Sequence, residues 1–244
     1  MTGLTRRAFG LGATTLGLSL ATPTFLRAPA RPKVVVIGGG AGGATAARYI
    51  AKDSEGAIDV TLIEANPIYT TCFFSNLFLG DFRSFDSLNH GYDKLASNYG
   101  ITVVNKMADA IDRDGKQVVL ADGTRVPYDR LVVSPGIDLV WDSVPGYSEA
   151  AAEIMPHSWK AGPQTKLLKA KLDAIENGQQ IVMVAPPNPY RCPPGPYERV
   201  SMFAHVLKTK GHTDSKIIVI DPKDKFSKQA LFQEGWDRHY RGMV

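Results

Sequence analysis

The chain is predicted to be an α/β protein built on two strand–loop–helix–strand units. Three observations carry that expectation. Lys33-Val34-Val35-Val36-Ile37 and Asp59-Val60-Thr61-Leu62-Ile63 are apolar runs of strand length that bracket a glycine-rich loop and a helical pattern. Ile181-Val182-Met183-Val184-Ala185 and Lys216-Ile217-Ile218-Val219-Ile220 bracket a second loop and helix. Between the units, turn signals at Asp112–Gly115 and Asp122-Gly123 separate short strands. With 244 residues, 44% apolar and 21% charged, the chain suffices for one large domain or two ordinary ones.

Residues 1–30 read as a leader. Thr5-Arg6-Arg7-Ala8-Phe9 is a twin-arginine pattern, Ala8 to Leu26 is uncharged, and Ala28-Pro29-Ala30 offers an A-x-A cleavage site before Arg31. The stretch is rich in Gly and Thr, which suits twin-arginine export to the periplasm better than a membrane span. An uncleaved anchor is the other reading, since the uncharged stretch is just long enough to cross a bilayer. Arg6, Arg7 and Arg27 supply three of the four net positive charges, leaving +1 for residues 31–244. A mature chain so nearly neutral makes no case for nucleic-acid binding.

In the first unit, Gly38-Gly39-Gly40-Ala41-Gly42-Gly43 follows the first strand at once and fits G-x-G-x-x-G. A helix is expected over Ala44 to Lys52, and the second strand ends in Glu64, 21 residues past Gly43. Strand, glycine turn, helix, strand and terminal acid together make a Rossmann-like dinucleotide-binding fingerprint. Gly38, Gly40 and Gly43 permit the tight turn and the approach of backbone to a pyrophosphate. Glu64 accepts hydrogen bonds from the adenosine ribose. The chain then runs through an irregular aromatic segment, Pro67 to Phe85, a helix near Leu88–Tyr99 and a strand at Ile101 to Val104. A small antiparallel meander over 108–130 leads to Arg130-Leu131-Val132-Val133 and the turn Ser134-Pro135-Gly136. After a looser stretch past Glu149, a helix is expected over Pro163 to Gly178, and the second unit begins at Gln180. The expected division is a leader, 1–30, a cofactor domain, 31–150, and a partial second domain, 151–244.

The second unit departs from the first at its loop. Arg191-Cys192-Pro193-Pro194-Gly195-Pro196-Tyr197-Glu198 stands where glycines usually cradle a phosphate. Proline has no N–H to donate, so the loop reads as built for thiol chemistry. The plainer reading is a stiff surface loop with a chance cysteine. The chain's two cysteines, Cys72 and Cys192, either pair with each other in an oxidising compartment or do separate jobs. Cys72 has a plain reading too, as a core cysteine among Phe73, Phe74 and Phe78.

The order of elements resembles the two-dinucleotide-domain flavoproteins of the disulfide-reductase type, which favours FAD in the first unit. Tyr69-Thr70-Thr71-Cys72-Phe73 and the cysteine–proline stretch narrow this. So do His90-Gly91-Tyr92-Asp93, Pro156-His157-Ser158-Trp159-Lys160-Ala161-Gly162 and Phe226-Ser227-Lys228-Gln229. With them the chain resembles, over roughly residues 33–238, the flavoprotein subunit of flavocytochrome c sulfide dehydrogenase and the related flavoprotein of the Sox sulfur-oxidation cluster. The resemblance implies FAD bonded through its 8α-methyl to Cys72. It implies Cys192 as the catalytic half of a redox disulfide attacked by sulfide, whose partner cysteine lies far downstream, beyond Val244. Electrons then pass to a c-type cytochrome subunit, and the chain itself carries no C-x-x-C-H. Arg191 and His157 are candidates for favouring a thiolate. The family extends well past this chain's last residue, so the second unit is expected to be incomplete and the chain a fragment, a frameshifted product or an unusually short homologue. Two other functions stay in view: a sulfide:quinone oxidoreductase and a non-catalytic flavin-binding fragment. No metal site and no stable membrane insertion are expected.

Overall fold

The computed structural model describes residues 30–157 and 159–244; residues 1–29, which hold nearly all of the leader, lie outside the described residues. The first unit opens with β1 (Lys33–Ile37), α1 (Ala41–Asp53) and β2 (Asp59–Ile63). Next come β3 (Ile68–Thr70), α2 (Ser75–Leu79), a 3-10 turn (Phe85–Leu88), β4 (Asn89–Gly91) and α3 (Asp93–Tyr99). They are followed by β5 (Thr102–Val104), the meander β6 (Ala108–Asp112), β7 (Gln117–Leu120) and β8 (Arg125–Pro127), and then β9 (Arg130–Val133). The second unit comprises α4 (Glu149–Ala152), α5 (Pro163–Asp173), β10 (Gln180–Val184), α6 (Gly195–Thr209), β11 (Lys216–Ile220) and α7 (Gln229–His239).

The main sheet is parallel, in the order β5-β2-β1-β9. Its central strand buries both faces, as the unbroken apolar run predicts. Val34 and Val36 meet α1 and α3 through Ala47, Ala51 and Tyr92. Val35 meets the meander through Val118 and Leu120. The result is three layers, with the glycine turn at the carboxyl end of β1. β10 and β11 form a separate two-stranded parallel sheet. One of its faces packs on α6, which presents Val200, Phe203, Ala204 and Leu207 at helical spacing. Val200, Phe203 and Leu207 each contribute about 1.5–3 kcal/mol when fully buried. The other face leaves Val182, Val184, Ile218 and Ile220 exposed.

Three expectations are corrected. The helix near Leu88–Tyr99 starts only at Asp93, because Asn89, His90 and Gly91 pair antiparallel with Thr70, Tyr69 and Ile68. Tertiary pairing overrides local propensity there. The aromatic segment Pro67 to Phe85 is not irregular: it holds β3 and α2. The helix starting at Pro163 is shorter than predicted and stops at Asp173.

The placement of α2 matters most. It belongs to the first unit in sequence, yet Leu79 joins the core of the second with Val200, Phe203 and Leu207. Lys169 on α5, 11% exposed at its side chain, reinforces the join with ion pairs to Asp81 at 2.9 Å and Asp173 at 2.6 Å. Asp81 is well solvated and Asp173 keeps Lys210 as a second partner, so both carboxylates tolerate the loss of Lys169. Lys169→Ala is therefore expected to cost about 1–2 kcal/mol, read as a lower urea midpoint with the slope unchanged.

Candidate functional site

The glycine turn divides its work among three positions. Gly38 has φ +95°, and a Cβ there would lie 2.0 Å from the carbonyl oxygen of Ser134. A Cβ on Gly43 would lie 1.8 Å from the carbonyl oxygen of Gly38, so α1 can approach β1 only if this position is bare. Gly40 is different: a Cβ there meets nothing nearer than Tyr69 at 3.7 Å. Its openness is on the ligand side. Gly40 caps α1 without any side-chain hydrogen bond, so the first N–H groups of the helix keep their capacity for an anion. Glu64 stands beside this turn. Its carboxylate accepts from the Gly39 N–H at 2.7 Å and the Asn66 N–H at 2.9 Å. Tyr92 donates to the Gly39 carbonyl at 3.1 Å. Burial, with the Glu64 charge adding, pushes the Tyr92 hydroxyl up to about 12, so it stays a donor.

A cavity of about 370 Å³ runs from Gly40, Ala41 and Ala44 past Tyr69 and Thr71 to Phe73. A larger one, about 500 Å³, opens at the opposite ends of the strands beside Arg31, Asp59 and Tyr99. Ligands of open parallel sheets bind at the carboxyl ends of strands, so the smaller cavity is the relevant one. The uncapped helix, the bare glycines and the acid after β2 fit a dinucleotide lying from Glu64 toward Cys72.

Cys72 and Cys192 are both exposed and free, so the structure holds no bond between them, and Cys72 is not a core residue. Each lies in a segment with left-handed backbone, at Phe74 (φ +65°) and at Cys192 itself (φ +55°). Such conformations persist only where the surroundings impose them. Cys192 is held by its carbonyl, which accepts from the Gly195 N–H at 2.8 Å, and by the Tyr190 hydroxyl, which donates to the Pro193 carbonyl at 2.9 Å. A Cβ on Gly195 would stand 3.2 Å from the Cys192 sulfur and 3.5 Å from Trp159, so this glycine keeps the sulfur clear.

Arg199 on α6 is the residue that sequence reasoning missed. It is 8% exposed and donates to Asn76 Oδ1 at 2.9 Å and Ser75 Oγ at 2.7 Å. Ser75 Oγ in turn donates to the Cys72 carbonyl at 2.6 Å. Burial pulls the Arg199 pKa below its ordinary value, while the charges of Cys72, Glu198 and Cys192 oppose that shift. The signal was present, since Arg199 falls on the stripe Pro196, Val200, Phe203, Leu207, a charge on an otherwise apolar helix face. Of the two candidates named from sequence, Arg191 is exposed. His157 is half-buried, and burial, with Lys160 adding, lowers its pKa and keeps the imidazole neutral.

The second unit's nucleotide position is filled by its own side chains. Asp221 follows β11 as Glu64 follows β2. Its Oδ2 accepts from the Tyr197 hydroxyl at 2.5 Å, and its Oδ1 pairs with Lys223 Nζ at 2.6 Å. Burial opposes ionisation of Asp221, but Lys223 and Tyr197 outweigh it and hold the carboxyl below its usual range. Phe226 stacks on Tyr197, ring centroids 3.8 Å apart. The loop above it, with three prolines, offers few N–H donors.

Among the described residues, no helix is long and apolar enough to cross a membrane. Residues 32–184 match the family model for pyridine nucleotide-disulphide oxidoreductases, and residues 165–244 that for the central part of the flavoprotein chain of flavocytochrome c sulfide dehydrogenase. The chain is 30% identical over 179 residues to a sulfide-quinone reductase of Aquifex aeolicus, covering 73% of this chain and 40% of that protein. It is 50% identical over 44 residues to the sulfide dehydrogenase flavoprotein chain of Chlorobaculum thiosulfatiphilum, covering 18% of this chain and 90% of that sequence. The solved sulfide:quinone oxidoreductase of Aquifex aeolicus superposes with a TM-score of 0.68 at 23% identity, over 86% of this chain and 49% of that one. The chain thus spans less than half the length of the Aquifex proteins it matches. The glycine turn, the acid after β2 and the matched region of 32–184 agree: the chain belongs to the pyridine nucleotide-disulphide oxidoreductase family of FAD-binding flavoproteins, and is similar within it to the flavoprotein chain of flavocytochrome c sulfide dehydrogenase.

Proposed function

We propose that this flavoprotein oxidises sulfide, or a small sulfur compound, at Cys192 and passes the electrons to a c-type cytochrome partner, in the periplasm, after twin-arginine export. The observation that carries the reading is a dinucleotide cradle followed by two exposed cysteines, one in the segment that Ser75 and Asn76 bond to Arg199 on α6 and the other in the turn that opens α6. FAD, held by Gly38, Gly40, Gly43 and Glu64, supplies a two-electron sink that can release electrons singly. Cys192, turned outward at the start of α6 and kept clear by Gly195, is the sulfur that meets substrate. Cys72, in sequence between Thr71 and Phe73 that line the cradle's cavity, is the anchor for the flavin. The prolines above α6 and the Tyr197–Asp221–Lys223 cluster argue against a pyridine nucleotide as the electron acceptor. A quinone acceptor is the second reading, favoured by the similarity to the Aquifex sulfide-quinone reductase. Supplying reduced protein with cytochrome c or a soluble quinone separates the two by which is reduced.

Covalent attachment has a direct check. Parent protein, denatured and acid-precipitated, is expected to keep its flavin absorbance in the pellet. Cys72→Ser should release all of it to the supernatant while folding normally. Colour that washes out of the parent rules out the anchor at Cys72.

A further inference from the structure

We propose that Lys223 is a positioning residue for Cys192: it fastens the cysteine loop at the Pro186 carbonyl and at the ring of Tyr190, whose hydroxyl in turn fastens the Pro193 carbonyl beside the thiol. Residues 186–194 join β10 to α6, and Pro186, Pro187, Pro189, Pro193 and Pro194 make up most of them. Proline brings a carbonyl but no N–H, so this loop is rich in acceptors and poor in donors. It needs donors from outside itself. A lysine ammonium is a donor only, with three N–H groups. Lys223 Nζ donates to the Pro186 carbonyl at 2.7 Å, pairs with Asp221 Oδ1 at 2.6 Å and lies 4.9 Å from the centre of the Tyr190 ring. Those are three partners for three N–H groups.

The ion pair gives the ammonium its direction. The side chains of Lys223 and Asp221 are 9% and 14% exposed. A buried pair adds little stability over an apolar pair of like volume, so aim is its distinctive product. Asp221 is fixed in turn, because its other oxygen accepts from the Tyr197 hydroxyl at 2.5 Å, and Tyr197 is fully buried in the first turn of α6. From this base the hold passes outward. The Tyr190 hydroxyl donates to the Pro193 carbonyl at 2.9 Å, and Trp159 meets the Tyr190 ring in a T-shaped contact, centroids 5.8 Å apart. The Gly195 N–H donates to the Cys192 carbonyl at 2.8 Å. Cys192 is thus gripped by the residues on both sides of it. Its left-handed φ of +55° requires such a constraint.

The inference rests on the reading above in one respect, that Cys192 is the sulfur that meets substrate, and its first measurement does not use sulfide. Arg191 is exposed, so the Arg191–Cys192 bond is a tryptic site inside the loop. Limited trypsin digestion of the flavin-loaded full-length protein, with that one cut followed by mass spectrometry, reports local opening. Lys223→Met alone would leave a buried carboxylate unpaired, so it is combined with Asp221→Asn, which keeps an acceptor for Tyr197. The double variant should speed the cut about tenfold while thermal unfolding shifts little. Lys223→Arg, which donates to both partners again, should return it to within about threefold of the parent. Tyr190→Phe keeps the ring, loses the bond to Pro193 and should speed the cut about fivefold. The second measurement is bleaching of the flavin by sulfide. In the double variant its limiting rate should fall about tenfold or more, with the half-saturating sulfide concentration unchanged, because the thiol is present but misplaced. A merely structural role would move thermal unfolding and flavin content instead. Cutting within twofold of the parent in the double variant, or in Tyr190→Phe should the double variant not fold, overturns the proposal. So does an unchanged limiting rate in a variant whose loop is cut faster. A parent whose flavin is never bleached by sulfide, but whose loop still depends on Lys223, sinks the functional reading and leaves the hold on the loop standing.

Discussion

Cys192→Ser is expected to abolish reduction of the flavin by sulfide, by a thousandfold or more, roughly the loss seen when a nucleophile is removed outright, while the flavin itself stays bound. Serine fills nearly the same volume and tolerates the same turn, so the Gly195 N–H can still reach the residue 192 carbonyl and α6 should start where it does now. What disappears is the sulfur. A hydroxyl is far weaker as a nucleophile near neutral pH and cannot carry a sulfur–sulfur bond. Bleaching of the visible flavin band after rapid mixing with sulfide gives the rate. Dithionite in place of sulfide should bleach parent and variant alike, because it reduces the flavin without using the thiol. A variant that keeps even a tenth of the parent's sulfide-driven rate would show that sulfide reaches the flavin without Cys192.

How the Cys72 segment comes to pack on the helix after Cys192 was only partly legible in the sequence. Period and turn signals exposed the strands of the two parallel sheets, β1, β2, β5, β9, β10 and β11, because each is rich in β-branched residues. The glycine turn could be read residue by residue, since its chemistry is local. β3, β4 and α2 could not be. Ile68–Thr70 and Asn89–Gly91 are three residues each, too short for a period, and they are strands only because they pair with each other. α2 has five residues and no cap of its own. It is helical because Leu79 finds the apolar face of α6 and Arg199 finds Ser75 and Asn76. Those contacts span over a hundred residues of sequence, and local pattern carries no information about them. The cysteines could thus be singled out while Arg199, which ties α2 to α6, went unnoticed. The same limit hid α7, whose Phe232 and Trp236 lie against Phe226 in the aromatic stack on Tyr197.

The second large effect separates two glycines that a motif treats alike. Gly43→Ala is expected to cost about 3 kcal/mol or more and to yield protein without flavin. Its new methyl would stand 1.8 Å from the Gly38 carbonyl oxygen and 3.3 Å from Ser134 Cβ. The first of these is backbone, with no rotamer to turn aside. Relief requires α1 to lift from β1, which opens the core around Val36, Ala47 and Leu62 and displaces the helix N-terminus from the cradle. Gly40→Ala asks a different question. Its φ of −69° suits any L-residue, and the added methyl touches only Tyr69 at 3.7 Å. The fold should lose about 1 kcal/mol at most, the usual cost of alanine in place of a better cap. Flavin binding should nonetheless fall sharply, because the methyl projects into the space a pyrophosphate needs to reach the first N–H groups of α1. Thermal unfolding and bound-flavin content, measured on both variants, decide it. Two variants with equal stability losses would assign both glycines to packing, and a Gly40→Ala protein with full flavin content would move the pyrophosphate off this helix.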